Sequence, residues 1–482
     1  MMSLIVEENL VSFKTLEKEI FRYVCELGCQ ITQYMLERND KELADSRDKQ
    51  KYRDKGVRKT TIKTVYGDVE YARRVYETRN EDGAKIYVYL LDEAMKMDKI
   101  GLISTNLAEK IAMTVTEVSY RETAETINRT CGQCISHGGA WNLIQRLGER
   151  ISEEEDYTVK EMNADQSKGE AVIPVLFEEM DGVWLRMQDE NHKKMAKQEM
   201  KVCTLYEGWD AEAEKKKRSE LVGKTMFAGM EKSAEFHEKR EALIRQKYNA
   251  DEIEQRILNG DGGSWIKDTY DPDTIFQLDR YHIYKEIHRK IGDKKAQQDI
   301  RELFDKEDID EMLEYISTYA TSVESDDEKD KRSKHARELY EYLNNNKEGL
   351  LPYDKQGIEI PKPKEGLVYK GMGVQENQNC TLITLRMKNR RMRWSVNGAN
   401  HLAKVLYRKE NKELISTIER YTDGLIFTMQ MQEVIEILSA GRTPKKEGKG
   451  NPYVDILTHS MPLFEAAQTA SRKAFKQALG MC

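Results

Sequence analysis

The sequence changes character between residues 171 and 282, where short apolar strands replace the helical spacing that precedes them. Strands are expected in "AVIPVLFEEM", "VWLRMQ" and "KVCTLYEGW", then a helix over 231–248, then two more strands in "RILNG" and "TIFQLD". Short alternating or apolar runs bounded by glycine and aspartate are typical of strands. The first two runs flank Asp181-Gly182, a dipeptide that favours a hairpin turn.

Three antiparallel strands, a helix and then short strands predict a ribonuclease-H-like core within an α-rich α+β chain. With 482 residues, the chain is long enough for several domains. The expected segments are an amino-terminal helix with a basic segment and a β-hairpin (1–89), a helical, helix-turn-helix-like region (90–168), the first part of the core (169–282), a helical insertion and linker (283–365), the second part of the core (366–440), and a linker with a carboxy-terminal helix (441–482).

Within the second segment, a helix over 119–128, a short turn and a helix from Ser136 resemble a helix-turn-helix, with Trp141, Ile144 and Leu147 expected to point inward. Such a unit places its second helix in the major groove of DNA. Helical pairs are common in α domains, so the spacing leaves both a DNA-binding unit and an ordinary helical pair open.

The net charge of −7 argues against a protein that coats DNA, but basic residues are concentrated in 47–63 and 386–393. Local patches decide whether a polyanion can dock. A solvated surface is the ordinary interpretation of such runs, and helical spacing places Arg386, Arg390 and Arg393 on one face. The candidate DNA-binding residues are Lys55, Arg58, Lys59, Arg386, Lys388, Arg390, Arg391 and Arg393.

The chain has no run of eighteen apolar residues and no basic start followed by an apolar block, so we expect no membrane span and a cytoplasmic protein. Seven scattered cysteines indicate reduced thiols. Cys131 and Cys134 have the spacing of half a zinc site, and Cys25 and Cys29 lie one helical turn apart. A shared zinc site or four small apolar side chains are the two interpretations.

Three acids stand where separate elements are expected to end or begin. Asp181 follows the first strand of the core, Asp261 lies in a glycine-rich turn after a later strand, and Glu376 begins a helix after the insertion. Each alone has an ordinary interpretation, as a turn, a loop or a helix-start residue. Together they suit phosphoryl transfer with two metal ions, which needs acidic ligands that converge from separate elements, and carboxylates suit Mg²⁺.

The motifs "EEMDGVWLRMQ", "LNGDGGSWIK" with "FQLDRYHIYK", and "GVQENQNCTLITLRMKNRRMRWS", in this order, resemble the ISLre2-type insertion-sequence transposases, also catalogued as an uncharacterised bacterial protein family. "YGDVEYARRVY" and "SYRETAETI" are similar to that family's amino-terminal half, and the resemblance covers roughly residues 50–410. It implies a DDE transposase with Asp181, Asp261 and Glu376 as catalytic acids and ligands of two Mg²⁺ or Mn²⁺ ions.

The resemblance also implies accessory residues. Asp279 and His282 form an Asp-x-x-His signature shared with Mutator and hAT transposases, and they would position DNA or the catalytic loop; the ordinary alternative is a helix-start aspartate and a half-buried histidine. Trp265 and Trp394 would stack on a base at the cleaved end or pack in the core. Alternation places Glu179 on the face of Asp181, where it would support the metal ligands.

As a transposase, the protein would bind the terminal repeats of its element, hydrolyse a phosphodiester and join the released 3′-hydroxyl to target DNA, acting as a homo-oligomer on DNA. One alternative is a non-catalytic DNA-binding protein derived from a transposase. A structure-selective nuclease is another, and it would give no strand-transfer product.

Overall fold

The computed structural model describes residues 12–96, 100–167, 169–268, 271–325, 331–422 and 424. The amino-terminal elements are α1 (Phe13–Ser46), an antiparallel sheet of β1 (Arg53–Thr64), β2 (Gly67–Arg79) and β3 (Lys85–Val88), and α2 (Leu90–Ala94). Ser12 caps α1 by accepting a hydrogen bond from the Thr15 amide. Thr64 pairs with Gly67, so the hairpin turns at residues 65–66 and not at Gly67-Asp68.

Three helices follow, α3 (Thr105–Glu117), α4 (Tyr120–Thr130) and α5 (His137–Asn163). Ser104, Ser119 and Ser136 cap them in the same way, which confirms the two helices predicted from 119 and from Ser136. Ile144 and Leu147 are buried as expected, but Trp141 is 42% exposed. The inward assignment of Trp141 was wrong because it lies beside the buried stripe of α5.

The central sheet contains β4 (Val175–Leu185), β5 (Gln198–Tyr206), β8 (Thr225–Gly229), β9 (Gln255–Gly260) and β10 (Ile275–Leu278) in the order β10-β9-β4-β5-β8. Strand β5 is antiparallel to β4 and β8, whereas β9 is parallel to β4 and β10 is parallel to β9. A second sheet has the order β11-β6-β7, with β6 (Gly208–Asp210), β7 (Leu221–Val222) and β11 (Leu367–Val368).

The hairpin expected at Asp181-Gly182 is not formed. Strand β4 runs straight through both residues and pairs with β5 without interruption from Phe177 to Leu185. The side chain of Glu199 lies over Gly182, where a Cβ atom would stand 1.9 Å from Glu199 Oε1. Glycine serves here for close approach of a neighbouring side chain and not for a turn.

The remaining helices lie around the central sheet. The short α6 (Ala211–Lys215) follows β6, and α7 (Ser233–Lys247) confirms the helix predicted over 231–248. Helix α8 (Ser264–Lys267) lies between β9 and β10. After the insertion come α13 (Gln375–Asn379), a π-helix (Cys380–Lys388), α14 (Val396–Glu410) and α15 (Leu414–Thr422). Helix α14 crosses α5 closely, because a Cβ on Gly148 would stand 2.3 Å from the Cβ of His401.

The expected insertion is helical and has its own apolar core. Its helices are α9 (Arg280–Lys290), α10 (Lys294–Asp305), α11 (Ile309–Ser322) and α12 (Arg332–Asn344). Ile287, Ile300, Phe304, Ile316 and Leu339 are buried together between them. The linker at 441–451 and the helix expected at 461–479 lie outside the described residues. Across the described part of the chain, no helix is both long and apolar enough to cross a membrane.

Candidate active site

Asp181 and Asp261 lie side by side at the centre of the main sheet. Strands β4 and β9 are parallel, with Met180 paired to Gly260, so each aspartate is the next residue along its chain. Adjacent strands are about 4.8 Å apart, which brings the two backbones within reach of one ligand. Strand β9 ends there, and Asp261 Oδ1 accepts a hydrogen bond from the Gly263 amide at 2.8 Å.

Asp181 is a buried acid, with 8% of its surface exposed. Its Oδ2 accepts a hydrogen bond from Asn379 Nδ2 at 2.7 Å, and its Oδ1 accepts one from the Gly182 amide at 2.7 Å. Burial raises the pKa of Asp181, and the negative charges of Asp261 and Glu376 raise it further against the opposing effect of His282. The three acids predicted from the sequence therefore interact in the folded chain.

Glu376 reaches this site from α13, the first helix after the insertion and its linker. Its side chain is exposed, whereas Gln375, Gln378 and Asn379 of the same helix are buried against the sheet. The exposed carboxylate of Glu376 leaves the site open to solvent on the side of this helix.

The donor set fits a hard divalent cation in its chemistry. It consists of three carboxylates, of which Asp261 and Glu376 raise the pKa of Asp181, and carboxylate oxygens are ligands that Mg²⁺ prefers. Within the described residues, however, no three His, Cys, Asp or Glu side chains stand close enough together to hold a metal ion. Asp181 directs its oxygens at Gly182 and Asn379 instead, so coordination requires the carboxylates to draw closer.

His282 joins two acids. Its Nδ1 lies 2.8 Å from Asp279 Oδ2, and its Nε2 lies 3.9 Å from Asp181 Oδ1. Asp279 precedes α9 but its side chain makes no cap hydrogen bond there, because it holds the imidazole. Burial lowers the pKa of His282, but Asp279 and Asp181 outweigh burial and leave that pKa raised. The Asp-x-x-His pair therefore adjoins the acidic site.

The two glutamates before Asp181 point to opposite faces of β4. Glu179 shares the face of Asp181, as alternation predicts, and its carboxylate is fully buried among hydrogen-bond donors. Glu178 faces α7. Arg256 of β9 donates its Nε hydrogen to the Glu178 carboxylate at 2.7 Å, and Arg240 of α7 lies 3.3 Å from it. These two arginines hold the pKa of Glu178 below its ordinary value although burial opposes them.

Two features that the sequence patterns did not single out contribute to the site, a pair of amides and an acid. Asn379 is the direct partner of Asp181, and Gln375 Nε2 donates to Asn379 Oδ1 at 2.8 Å. Their spacing of four in "QENQN" was the available signal, since amides one helical turn apart on a buried helix face need polar partners. Glu199 is the second, and burial together with the charges of Asp261 and Asp181 raises its pKa.

The two tryptophans proposed to stack on a base, Trp265 and Trp394, pack in the protein interior. Trp265 stands edge-to-face to Phe236 at 5.9 Å and is partly buried against the main core. Trp394 is 8% exposed, and its Nε1 donates to the Met387 carbonyl at 2.8 Å. The assignment of Trp394 to DNA binding is corrected, because a side chain that fills the core cannot stack on a base.

Arg386 is also buried, with 4% of its surface exposed, so its assignment to a DNA-binding face is corrected. Its Nε donates to the Val115 carbonyl, and its guanidinium lies over the rings of Tyr120 and Trp394 at 5.5 and 5.6 Å. Burial lowers the pKa of Arg386. Within the basic run 386–393, the side chains that remain available to a polyanion are those after Arg386.

Those later residues do not continue a helix. The π-helix ends at Lys388, and Arg390 and Arg391 adopt left-handed backbone angles, with φ of 59° and 56°. The predicted sharing of a face at helical spacing therefore fails. Arg390 contacts Glu122 of α4 at 3.3 Å, which places this segment beside the helical pair α4–α5. The exposed members of the basic cluster are Lys388, Arg390, Arg391 and Arg393.

The amino-terminal candidates lie on β1. Lys55 pairs with Glu77 at 2.8 Å and Lys59 with Glu70 at 2.7 Å. Arg58 is exposed. The Lys59–Glu70 pair is exposed, and such ion pairs are weak, so Lys59 is able to exchange the glutamate for a phosphate, whereas Lys55 and Glu77 are half-buried.

The two cysteine pairs approach each other. A Cβ on Gly132 would stand 2.6 Å from Cys25 Sγ, so the 131–134 loop lies directly on α1. Burial and Cys131 raise the pKa of Cys25, and burial and Cys25 raise the pKa of Cys29 to about 11. These thiols are free, and they are among the described residues in which no metal-holding group is found.

Comparison with known proteins gives one family. A family model described as "Uncharacterised protein family (UPF0236)" matches residues 6–420. A UPF0236 protein of Caldanaerobacter subterraneus subsp. tengcongensis is 24% identical over 409 residues, which cover 83% of this chain and 78% of the relative, and its name joins eleven locus labels. A UPF0236 protein of Streptococcus gallolyticus, named for the vanSb 3′ region, is 24% identical over 407 residues, which cover 82% of each chain.

Proposed function

The chain belongs to the UPF0236 family, and from this membership and the geometry of the acidic site we propose that it is a DDE-type DNA transposase. It binds the terminal repeats of a mobile element, hydrolyses a phosphodiester and joins the released 3′-hydroxyl to target DNA. Its cofactor is a pair of Mg²⁺ or Mn²⁺ ions, and it works as a homo-oligomer on DNA.

The observation that carries the proposal is the side-by-side placement of Asp181 and Asp261, with Glu376 on the helix that Asn379 ties to Asp181. The first two occupy matching positions on adjoining parallel strands, and the third arrives on a helix after a long helical insertion. Both Asp261 and Glu376 act on the pKa of Asp181. A structural ion network would pair such acids with arginine or lysine, as Glu178 is paired, whereas a site for divalent cations keeps them together.

The strand order supports the fold part of the proposal. Strands β4, β5 and β8 are antiparallel neighbours, although β6 and β7 of the second sheet lie between β5 and β8 along the chain. Strands β9 and β10 follow and extend the sheet from the other edge of β4 in parallel. This is the arrangement expected of a ribonuclease-H-like core, in which the first acid lies on the central strand and the second at the end of its parallel neighbour.

In this mechanism Asp181, Asp261 and Glu376 would hold the cations. The chemistry supplied by two bound ions is activation of the attacking oxygen and stabilisation of the leaving one. Asn379 orients one oxygen of Asp181. Asp279 fixes the tautomer and direction of His282, whose Nε2 faces Asp181 and can hold a proton near the reacting phosphate.

DNA would be gripped by the exposed basic cluster, Lys388, Arg390, Arg391 and Arg393, with Lys55, Arg58 and Lys59 as further phosphate contacts. The cluster adjoins α4, so phosphate contacts from it and base contacts from the start of α5 can be made on one surface. The exposed Trp141, near the start of α5, is available to such a contact.

The relatives support a mobile gene. A protein whose name joins eleven locus labels of one organism, as the Caldanaerobacter relative does, is what a gene that inserts copies of itself would leave behind.

Cleavage and strand transfer on DNA carrying the ends of the element test the proposal. Asp181→Asn, Asp261→Asn and Glu376→Gln should each abolish both products while DNA binding persists, since neutral amides are poor Mg²⁺ ligands. Asp210→Asn is the matched control. Asp210 is a half-buried aspartate that ends β6 in the second sheet and caps α6. Near wild-type cleavage in the three variants would refute the assignment.

The same assay separates the alternatives. A DNA-binding protein derived from a transposase would bind the ends without cutting them in the wild-type form. A structure-selective nuclease would cut and give no joined product.

A further inference from the structure

Glu179 receives five hydrogen bonds. Its Oε1 accepts from Tyr206 Oη at 2.7 Å, the Gly373 amide at 3.0 Å and the Val374 amide at 3.2 Å. Its Oε2 accepts from Asn259 Nδ2 at 3.1 Å and the Gln375 amide at 3.2 Å. Because a carboxylate offers about four lone-pair sites, none remains for a metal ion.

Three of these donors are consecutive backbone amides that lead into α13. The first amides of a helix lack partners within the helix, and a negative charge is favoured there. Glu179 therefore fastens the incoming chain of residues 373–375 to the central strand of the sheet.

The remaining donors bind Glu179 to its neighbours in the sheet. Tyr206 belongs to β5 and Asn259 to β9, and Asn259 Oδ1 accepts in turn from Gln277 of β10. One carboxylate thus connects α13 to the strands on both sides of β4. Burial raises the pKa of Glu179, and the amide and hydroxyl donors oppose that rise.

We propose that Glu179 is the positioning residue that places α13, and with it Glu376, against Asp181. The two acids of β4 that share a face hold opposite ends of the same helix, Glu179 through the Gln375 amide and Asp181 through Asn379. Glu179 touches neither substrate nor cation, and it acts by setting where Glu376 stands. This inference rests on the proposed function for its catalytic consequence, but the anchoring itself does not.

Glu179→Gln tests the anchoring role, because the side-chain NH2 group of the glutamine would present a hydrogen-bond donor to groups that already donate. Hydrogen exchange of the 373–375 amides should accelerate at least tenfold in this variant. The Mg²⁺ concentration for half-maximal cleavage should rise by about 10–100-fold, the usual effect of losing a residue that orients ligands. End binding should stay unchanged. Glu179→Asp, which keeps the charge on a shorter side chain, should recover part of both properties.

Glu178→Gln is the matched control. It removes an equally buried charge from the same strand on the opposite face, so it reports loss of stability without loss of the α13 anchor. It should leave both the exchange of the 373–375 amides and the Mg²⁺ requirement within about threefold of wild type.

If Glu179→Gln does not fold, Tyr206→Phe removes a single donor and should accelerate the same amides more modestly. Unchanged exchange in Glu179→Gln, or equal acceleration in Glu178→Gln, would overturn the anchoring role. Full cleavage by Asp181→Asn would instead overturn the proposed function, and the exchange result would still decide whether Glu179 anchors α13.

Discussion

Asn379 shows how a single residue can orient a proposed catalytic acid. Its side-chain amide donates to Asp181 and accepts from Gln375, so it is held at both ends. The acid itself is recognisable in the sequence from its neighbours. Its partner is not, because the contact joins residues 198 apart, and the spacing of Gln375 and Asn379 indicates only that these buried amides need polar partners.

Asn379→Ala should lower the rate of cleavage about 10–100-fold without weakening DNA binding, since it removes a group that orients a ligand. Asn377→Ala, an exposed asparagine on the same helix, is the control and should have no effect. Single-turnover cleavage measures both. Equal rates in Asn379→Ala and wild type would remove Asn379 from the site.

Glu178 gives a prediction on stability and pH. Its pKa is lowered by Arg256 and Arg240, so the stability it contributes is present above its unfolded pKa of about 4.3 and is lost as pH falls through the folded value. Removing one partner of a buried pair costs about 3–5 kcal/mol. Glu178→Gln should therefore unfold at a lower urea concentration at pH 7, and its difference from wild type should shrink as the pH falls below that unfolded value. A difference that is independent of pH would contradict this.

At the scale of elements, strands and helices could be predicted where the apolar spacing is regular. The helices predicted from 119 and from Ser136, the helix α7 and the strands β5, β9 and β10 lie where the pattern places them, whereas β8 was not predicted. The predictions for two elements were wrong, each for a physical reason. Asp181-Gly182 favours a turn locally, but continuous pairing with β5 keeps β4 straight. The basic run after Glu376 forms a π-helix and a left-handed kink, so spacing at 100° per residue does not describe it.

The exposed basic cluster gives a prediction on the salt dependence of DNA binding. Removing one phosphate contact should flatten the slope of log K against log salt by about 0.9 on duplex DNA. Replacing exposed Lys388 and Arg391 by glutamine should reduce the slope by about one to two and weaken binding to all sequences about equally. Sequence preference should persist, because bases would be read from α5.

Arg386→Gln is the contrasting variant. Buried Arg386 should leave the salt slope unchanged and lower thermal stability, since its guanidinium packs against two rings. A slope that falls in Arg386→Gln and stays fixed in the double variant would mean that the buried and exposed roles are assigned the wrong way round.

At the scale of the whole molecule, the helical region and the sheet share one apolar core. Ile144 and Leu147 of α5 belong to the same buried cluster as Met180 and Val202 of the sheet and Leu402 of α14. The segment boundary expected at 168–169 therefore marks a change of secondary structure and not a break in packing. The helical insertion, by contrast, has its own buried cluster.

The candidate site depends on this architecture. Asp181, Asp261 and Glu376 could be selected from the sequence through their motifs, but their meeting depends on the parallel pairing of β4 with β9 and on the return of the chain after the insertion. Neither is encoded in a local pattern. The anchoring of α13 by Glu179 also appears only in three dimensions, since its donors come from β5, β9 and residues 373–375.

Anomalous diffraction from crystals grown with Mn²⁺ and DNA ends would locate the catalytic cations that these three acids are proposed to hold. We expect two manganese peaks about 3.5–4 Å apart, bound by Asp181, Asp261 and Glu376, with Glu179 still hydrogen-bonded to residues 373–375. In Asp181→Asn at least one of the peaks should disappear. Saturating Mn²⁺ with no peak at these carboxylates, or with peaks held by other residues, would contradict the assignment of the three acids as metal ligands.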